Sequence, residues 1–488
     1  MRKIDRGGPR WAGSLVLAAL VALALALSVF GGHAAGAPGD SDGSFSKDGV
    51  AGVSVSYFPP PLTGYNDLAL QPDGKIVVVG TTGENSEAYS PEAVAARFNA
   101  DGSLDASFGK KGTKLIEFPA PDDTVGAVSV AVAPDGRILI ATAGENVDLA
   151  RLNPDGSLDS TFSGDGEAQI PLPGFARLSI ADLALSGDGR MVVGGTATAA
   201  AEGAKRDFLV ARFAPDGTPD PSFSGDGFAT SDLGGEDFVI EIALGPDGSV
   251  VAGGGTGAAF TTAASSVAVA RYTPAGSLDP SFSGDGVATS DAGDYVTGVA
   301  IDGSGRVALS AAQLKRPIFT AARFTPAGEL DPSFGSGGVA KLSFGDPSTA
   351  NDLAVAADGS LTVVGFVNRS VPGLLEEDFA VGRLDAAGHP DPSFAQGGRR
   401  TTDLRCNGSE EARTVAIDAQ GRIVAGGQCE FPVIPQAGLT SSALTVARYE
   451  VAPGPADEDA DGIVDSKDRC PGAFERGGKG KTRGCPEV

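Results

Sequence analysis

The chain has 488 residues, of which 37 are Lys or Arg and 62 are Asp or Glu, so its formal net charge at pH 7 is −25. Because an acidic chain is repelled by a phosphate backbone, nucleic acid is excluded as the expected partner. The sequence holds only two histidines, His33 and His389. Ser-His-Asp catalysis and multi-histidine metal sites therefore have little to build on.

The first 37 residues have the pattern of a secretory signal peptide. Four basic residues precede an apolar run at 15–30, and small residues follow at 34–37. We expect cleavage after Ala37, which removes those four basic residues and one acidic residue and takes the net charge from −25 to −28. An uncleaved anchor is the alternative, and it would be the chain's one attachment to a membrane.

Seven copies of a repeat occupy most of the remaining chain. Each copy ends in Ala-Arg-aromatic or a close variant, and successive arginines are 54, 61, 59, 52, 60 and 65 residues apart. A period of this length indicates a solenoid, a propeller or an array of small modules. The arginines are Arg97, Arg151, Arg212, Arg271, Arg323, Arg383 and Arg448.

Each copy carries the signals of four short antiparallel strands. In the first copy, apolar residues at 68–70 and 75–80 flank Pro72-Asp73-Gly74, a sequence typical of a tight hairpin turn. A third strand is predicted at 93–98 and a fourth at 112–118. Four such strands form one blade of a β-propeller, so the predicted fold is an all-β, seven-bladed propeller over residues 38–452.

The two ends of this repeat region complement each other. The repeat contains seven equivalent phenylalanines, and six of them follow an arginine strand. Phe45 has no arginine strand before it, and Arg448 has no phenylalanine after it. We therefore expect the N-terminal segment to add the last strand to the blade at 412–450, which closes the ring and removes two open sheet edges. An open solenoid would gain nothing from such ends.

Arginine and aspartate keep a fixed spacing of eight residues in six copies, for example Arg97 with Asp105, although loop lengths vary elsewhere. This spacing predicts a structural ion pair across a turn, with the phenylalanine three residues further on buried between blades. A binding role for these arginines is the alternative. If the ring closes, Arg448 should pair with Asp42.

These units, which end in Ala-Arg-Phe and Leu-Asp-Pro-Ser-Phe-Gly, resemble the delta-60 repeat family of bacterial exported proteins. The resemblance covers residues 42–450, and Asp105-Ala106, Asp159-Ser160 and Asp42-Gly43 depart from it by lacking the proline. It implies a propeller-like fold and export, and it implies no catalytic residues.

The segment 453–488 has a different composition from the repeats. Counted from Asp457, carboxylates fall at positions 1, 3, 5, 9 and 12 with Gly at 6, which are EF-hand ligand positions suited to calcium, with the carbonyl of Ile463 expected at position 7. Flanking prolines rule out an EF-hand with helices on both sides. The segment instead resembles a thrombospondin type 3 repeat, which implies calcium ligands at Asp457, Asp459, Asp461, Asp465 and Asp468 and a disulfide between Cys470 and Cys485.

The other two cysteines, Cys406 and Cys429, are expected to staple the closing blade. Free thiols are the alternative for the four cysteines.

These features predict a secreted or cell-surface binding or structural protein, in which adhesion is one role, with calcium as its cofactor. We expect a monomer that binds an unknown protein or cell-surface ligand through loops between the second and third strands of its blades. An exported propeller enzyme, of lyase or dehydrogenase type and using carboxylates and calcium, is the alternative, and it would need carboxylates and arginines converging on the ring centre. A passive spacer remains a third interpretation. The candidate loops are 83–91, 197–206, 255–266 and 367–377.

Overall fold

The protein is described by a computed structural model that covers residues 37–53, 64–81, 93–118, 129–143, 146–201, 203–257, 265–371, 374–404, 406, 408–434 and 439–451. All of its regular structure in these ranges is β-strand. Among the same residues, no helix of a length and hydropathy suited to crossing a membrane is found. The expected signal peptide before Ala37 and the expected calcium repeat at 453–488 lie outside the described residues.

Twenty-eight strands form seven four-stranded antiparallel sheets, which confirms the predicted seven-bladed propeller. In blades 1 to 6, the four strands pair in chain order. Blade 1 contains β2 (Gly64–Leu70), β3 (Ile76–Thr81), β4 (Ala93–Phe98) and β5 (Thr113–Ile116); blade 2 contains β6 (Ser129–Val132), β7 (Ile138–Ala143), β8 (Asn146–Leu152) and β9 (Glu167–Pro171); blade 3 contains β10 (Phe175–Leu185), β11 (Met191–Ala199), β12 (Arg206–Phe213) and β13 (Phe228–Ser231).

The remaining blades follow the same plan, and the last one draws its outer strand from the start of the chain. Blade 4 contains β14 (Phe238–Leu244), β15 (Val250–Thr256), β16 (Ser266–Tyr272) and β17 (Val287–Ser290); blade 5 contains β18 (Tyr295–Ile301), β19 (Val307–Ala312), β20 (Phe319–Phe324) and β21 (Val339–Leu342); blade 6 contains β22 (Ser348–Val355), β23 (Leu361–Val371), β24 (Leu374–Leu384) and β25 (Arg399–Thr402); blade 7 contains β26 (Glu410–Ile417), β27 (Ile423–Ile434), β28 (Leu439–Tyr449) and β1 (Val50–Val53).

The first strands of the blades line the axis of a closed ring. Each of β2, β6, β10, β14, β18, β22 and β26 contacts the next, and β26 contacts β2. In blade 7, β1 pairs antiparallel with β28, with Val50 opposite Ala447. The two chain ends therefore share one sheet, and no strand edge is left open at the seam.

The hydrophobic core lies between neighbouring blades. One cluster joins blades 1 and 2 through Val77, Phe108 and Ile140, and another joins blades 7 and 1 through Val446 and Val78. Because both faces of each sheet pack against another sheet, the inner strands are apolar on successive residues, and β3 and β4 are buried along their whole length.

An Arg-Asp-Phe unit, named the latch here, recurs in every blade, and in blades 1 to 5 and 7 its arginine donates to a carbonyl oxygen of the next blade. In blade 3, Arg212 donates from Nε to Asp220 of its own blade (2.8 Å) and from Nη1 to the carbonyl oxygen of Pro274 in blade 4 (2.6 Å). Its guanidinium also lies 4.8 Å from the ring centre of Phe223, which is fully buried. The recurring arginines thus have a structural contact set.

A second contact between blades follows each latch phenylalanine. The residue after the phenylalanine adopts a left-handed conformation, with φ between +45° at Ala395 and +56° at Ser224 and Ser283. This conformation turns its N–H toward the next blade, as in Ser283 to the carbonyl oxygen of Ala327 (2.7 Å). The Ser-Gly-Asp-Gly sequences that begin at Ser163, Ser224 and Ser283 are therefore tight turns.

At the seam, the latch is assembled from both ends of the chain. Arg448 donates from Nε to Asp42 (2.6 Å) and from Nη1 to the carbonyl oxygen of Ala100 in blade 1 (2.7 Å). Both charged residues are 3% exposed, and the guanidinium lies 4.6 Å from the ring centre of Phe45. Arg422 reaches the same carboxylate at 3.1 Å from a more exposed position.

A disulfide between Cys406 and Cys429 fastens blade 7, with a Cα–Cα separation of 5.8 Å. Cys429 lies on β27, and Cys406 lies in the connection from blade 6. The bond therefore ties the entry to blade 7 to the second strand of that blade, next to the seam. Such a bond is compatible with an extracytoplasmic protein.

The seam latch predicts that Arg448 contributes more to stability than Arg422, although both pair with Asp42. Arg448→Ala leaves Asp42 buried without its main partner and should lower the free energy of unfolding by about 3–5 kcal/mol. Arg422→Ala removes a partly exposed pair and should cost no more than about 1 kcal/mol. Urea denaturation, monitored by tyrosine fluorescence or circular dichroism, measures the free energy of unfolding of both variants. Equal, small losses would contradict a latch that holds the ring closed.

Candidate functional site

The ring has two faces with different connections. Because neighbouring strands are antiparallel, the turns between first and second strands and between third and fourth strands share one face with the latches, called the latch face. The hairpins between second and third strands share the other face with the connections between blades, and this is the loop face. Of the candidate loops, 83–91 lies outside the described residues, and the other three are described in part on the loop face.

The latch aspartates are neutralised within the fold by their arginines. Burial alone would raise the pKa of Asp220, but hydrogen bonds from Ser222 and the charge of Arg212 lower it to about 2. A groove of ≈ 470 Å³ between blades 1 and 2 includes Lys75 and Arg97, and both cations already pair with Asp105. His389 is exposed on this face beside Asp385, as expected for a solvated turn residue. The latch aspartates and the groove cations are therefore compensated within the fold. Other acids of this face, such as Asp226 and Asp285, lie in exposed turns and accept backbone N–H groups.

The loop face instead carries an acidic triad where blades 3 and 4 meet. Asp207 begins the third strand of blade 3, and Asp232 and Asp237 lie between β13 and β14, with carboxylate oxygens all within 4.8 Å of one another. Asp237 is fully buried and accepts from the N–H of Leu233 (2.6 Å). Burial and then the charges of Asp232 and Asp237 raise the pKa of Asp207. Oxygen atoms at this spacing could hold a hard cation.

A second group of acids at equivalent chain positions lies where blades 6 and 7 meet. Asp378 occupies the position of Asp207, five residues before the latch arginine, and Asp403 and Glu410 follow β25 as Asp232 and Asp237 follow β13. Glu410 accepts from the N–H groups of Leu404 and Cys406 (3.1 Å to Cys406). Burial, with the charges of Asp403 and Asp378, raises its pKa to about 7. Here Arg369 pairs with Asp378 at 2.5 Å.

Two long hairpins rise from the loop face beside this second group of acids. The segment 367–377, expected to be a loop, is mostly paired strand, because β23 and β24 stay in register as far as Val371 and Leu374. In blade 7, β27 and β28 pair as far as Ile434 and Leu439. Ser409 donates to Glu377 and so connects the two blades at the base of the hairpins. Continuous antiparallel pairing accounts for the longer strands, which the sequence pattern did not predict.

Four carboxylates line the axis. Asp67, Asp182 and Asp352 each follow a β-bulge in a first strand and precede a buried leucine, and Glu241 takes this place in blade 4. Each side chain accepts an N–H from the next blade, as in Asp182 with Ile242 (3.0 Å) and Asp352 with Val415 (2.7 Å). The acids thus tie first strands together around the ring.

The axial positions hold a signal that sequence reasoning missed. Asp-Leu-Ala recurs at 67–69, 182–184 and 352–354, always in the first strand. Burial and then the charge of Asp182 raise the pKa of Asp67 to about 7. Burial, reinforced by the charges of Asp352 and Asp182, also raises the pKa of Glu241. Four carboxylates therefore converge on the axis, as the enzyme interpretation requires. That interpretation also requires arginines, and Arg413 of the first strand β26 pairs with Glu411 at 2.8 Å.

The expected calcium ligands, Asp457, Asp459, Asp461, Ile463, Asp465 and Asp468, lie outside the described residues, as do Cys470 and Cys485. Nothing in the described ranges tests these assignments. They remain predictions from the sequence.

Comparison with known families supports the repeat. Four segments, 71–108, 133–162, 187–223 and 245–282, match a family model described as a domain of unknown function (DUF5122) beta-propeller. Each matched segment ends at the latch phenylalanine of blades 1 to 4. The chain is built from propeller repeats. Comparison with curated proteins gives no match.

Solved structures with a similar fold align with this chain over almost their whole length. They include the polysaccharide lyase Uly1 (12% identity, 86% of this chain and 98% of that chain, TM-score 0.46). Hydrazine synthase of Kuenenia stuttgartiensis is 11% identical over 80% of this chain and 98% of that chain, with a TM-score of 0.44. A protein of unknown function from Dyadobacter fermentans is 12% identical over 83% and 99%, with a TM-score of 0.40. Likeness at this level carries no information about activity.

The axial carboxylates predict that the propeller loses stability as the pH rises toward neutral. The folded pKa of Asp67, about 7, lies above its value of about 3.9 in an unfolded chain. Its contribution is therefore fully present below about pH 4 and is lost as the pH rises through about 7. The latch acids have lowered pKa values, so their contribution is lost only at still more acidic pH.

Urea denaturation between about pH 5 and pH 8 tests this expectation. The free energy of unfolding of the wild-type chain should fall across that range, and Asp67→Asn, which cannot ionise, should reduce the slope. Asp226→Asn, an exposed control on the latch face, should leave the slope unchanged. A wild-type stability that rises with pH would contradict the axial assignment.

Proposed function

We propose that the chain is an exported binding scaffold whose loop face contacts a protein or another ligand at or outside the cell surface. The observation that carries this proposal is the division of charge between the two faces. The latch aspartates are paired with arginines, whereas the triad of Asp207, Asp232 and Asp237 brings three carboxylates together on the loop face. Raised pKa values at a surface cluster are typical of functional sites.

The charge of the loop face favours a cationic partner. Carboxylates that repel each other are relieved when a basic side chain or a metal ion lies between them, which lowers the free energy of the complex. The net charge of −25 adds long-range attraction for such a partner. Adhesion to a basic or cation-bridged surface is one form that this function would take.

The hairpins of blades 6 and 7 support a contact role. They extend the loop face next to the second group of acids, and the Cys406–Cys429 disulfide fixes their base. A binding surface held in place before contact loses less conformational entropy on association. The scaffold interpretation also accounts for the buried, fully paired latches, which hold the blades together on the face opposite the loop face.

Calcium binding by the aspartate repeat at 453–488 is part of the same proposal. Its oxygen-rich spacing supports a hard cation, and a C-terminal calcium site would give the exported chain a cation-dependent linker. Export itself is supported by the signal-like first 37 residues and by the disulfide.

An exported enzyme remains the second candidate because four carboxylates converge on the axis. Each of these carboxylates is engaged by an N–H of a neighbouring blade, as in Asp67 with Val130 (2.9 Å) and Glu241 with Val299 (3.0 Å). A structural task therefore explains their positions. The scaffold is favoured for this reason.

The charge division predicts that neutralising loop-face acids weakens binding to a cationic surface. Asp207→Asn with Asp232→Asn should lower the affinity of the chain for immobilised oligolysine, measured by surface plasmon resonance over a series of salt concentrations. The control, Asp226→Asn with Asp285→Asn, removes the same charge from exposed turns of the latch face and should have a smaller effect. Equal effects would show that only net charge matters and would contradict a loop-face site.

The aspartate repeat predicts a calcium site that depends on its own carboxylates. Isothermal titration of calcium into the chelator-stripped chain lacking residues 1–37 should show saturable binding. Asp459→Ala with Asp461→Ala should remove one component of that binding, because two of five carboxylate ligands are lost. Binding with unchanged stoichiometry and affinity would contradict the C-terminal assignment.

A further inference from the structure

Two buried side chains of blade 2 have oxygen atoms without hydrogen-bond partners. Thr142 is 1% exposed and Asp148 is 6% exposed, and neither Oγ1 of Thr142 nor Oδ1 of Asp148 is paired. Leaving such atoms unpaired costs about 1–3 kcal/mol each. A partner that completes their coordination would remove this cost.

The two residues face each other across the strands. Thr142 of β7 lies directly opposite Asp148 of β8, and Asp148 lies opposite Gln169 of β9. Directly opposite residues in a sheet project from the same face, with Cβ atoms about 4.5–5.5 Å apart. The Thr142 and Asp148 side chains therefore lie on the same face of the sheet, the face that packs toward blade 1, near the loop face of the ring.

The other six blades show that the fold does not require these residues. The position of Asp148, three residues before the latch arginine, holds Val94, Leu209, Ala268, Thr320, Ala380 and Thr445 in the other blades. Asp148 is the one acidic residue in this set. Its blade obtains the same latch, with Arg151 and Asp159 2.7 Å apart, so the carboxylate serves another purpose.

The position of Thr142 is also exceptional. It holds Gly80, Gly195, Gly254, Gly365 and Gly427 in five blades and Ala311 in blade 5. At Gly254, a Cβ atom would lie 1.8 Å from the carbonyl oxygen of Phe238 in the first strand. Blade 2 therefore carries a branched polar side chain at a position where the other blades have glycine or alanine. The described part of β6 begins at Ser129, which lies opposite Ala141.

The charges around Asp148 favour a cation. Burial raises its pKa to about 6, against a hydrogen bond from Gln169, and the charge of Glu167 raises it further. Lys114 of blade 1 acts on Glu167, whose pKa is nevertheless raised by burial and by the charge of Asp165. Two carboxylates, a hydroxyl and an amide oxygen form an oxygen-only donor set of the kind that calcium prefers.

We propose that Thr142, Asp148, Gln169 and Glu167 form a divalent-cation site between blades 1 and 2. The site lies within the propeller and does not depend on the aspartate repeat at 453–488. A bound ion would pair both orphan oxygens and would bring the outer edges of these two blades together.

Calcium titration in a background that lacks the C-terminal site tests this proposal. The parent is the chelator-stripped chain without residues 1–37 and with Asp459→Ala and Asp461→Ala. Calorimetry should show saturable calcium binding in this parent, and thermal unfolding should shift to higher temperature with calcium. Asp148→Asn should abolish both effects, and Thr142→Val should weaken binding by at least about tenfold.

Thr320→Val is the matched control. Thr320 is a fully buried residue of blade 5 at the position equivalent to Asp148. Its hydroxyl already donates to the carbonyl oxygen of Ile318 (3.1 Å). This variant should keep the calcium response of the parent. No calcium response in the parent would overturn the proposal and assign water to the orphan oxygens. A response unchanged by Asp148→Asn would overturn it by placing the ion elsewhere. The difference between the wild type and the parent reports separately on the aspartate repeat.

Discussion

The contact between one arginine and two blades is the interaction on which this fold depends. In blades 1 to 5 and in blade 7, the latch guanidinium joins a carboxylate to a backbone carbonyl of the next blade, as Arg271 joins Asp279 to Pro326, and it lies over a buried phenylalanine. A charge in this position is stable only when all of its donors are matched, so the eight-residue spacing is fixed even though the blades differ in length. The closing blade follows the same rule with residues from both chain ends.

This constraint divides the molecule into a face that builds the ring and a face that is free to vary. The latch face commits its latch arginines and aspartates to contacts within and between blades, and its turns keep nearly the same form from blade to blade. The loop face carries no such obligation. Its hairpins differ in length, its acids gather in a triad at Asp207 and in a second group at Asp378, and the disulfide found among the described residues fastens the longest pair of strands. Binding is therefore expected where the repeat varies.

The sequence allows prediction of features that repeat over short distances. The Arg-Asp spacing, the buried phenylalanines and the complementary ends predict the blades and their closure, because each motif lies within one turn of chain. The triad of Asp207, Asp232 and Asp237 could not be predicted in this way, since Asp207 lies near the start of β12 and the other two residues follow β13, beyond the latch turn. The axial acids were accessible in principle through the repeated Asp-Leu-Ala, but their partners are backbone N–H groups of other blades, which leave no mark on side-chain identity.

A repeat chain supplies its own controls, which gives single departures unusual weight. A polar residue found in all seven blades, such as the latch arginine, is explained by the fold that the seven blades share. A polar residue found in one blade, at a position that is apolar, small or a paired threonine in the others, has no such explanation. Thr142 and Asp148 are two departures of this kind, they lie opposite each other, and both leave a buried oxygen unpaired. Because the other blades fold without them, the cost of burying them points to a ligand rather than to the architecture.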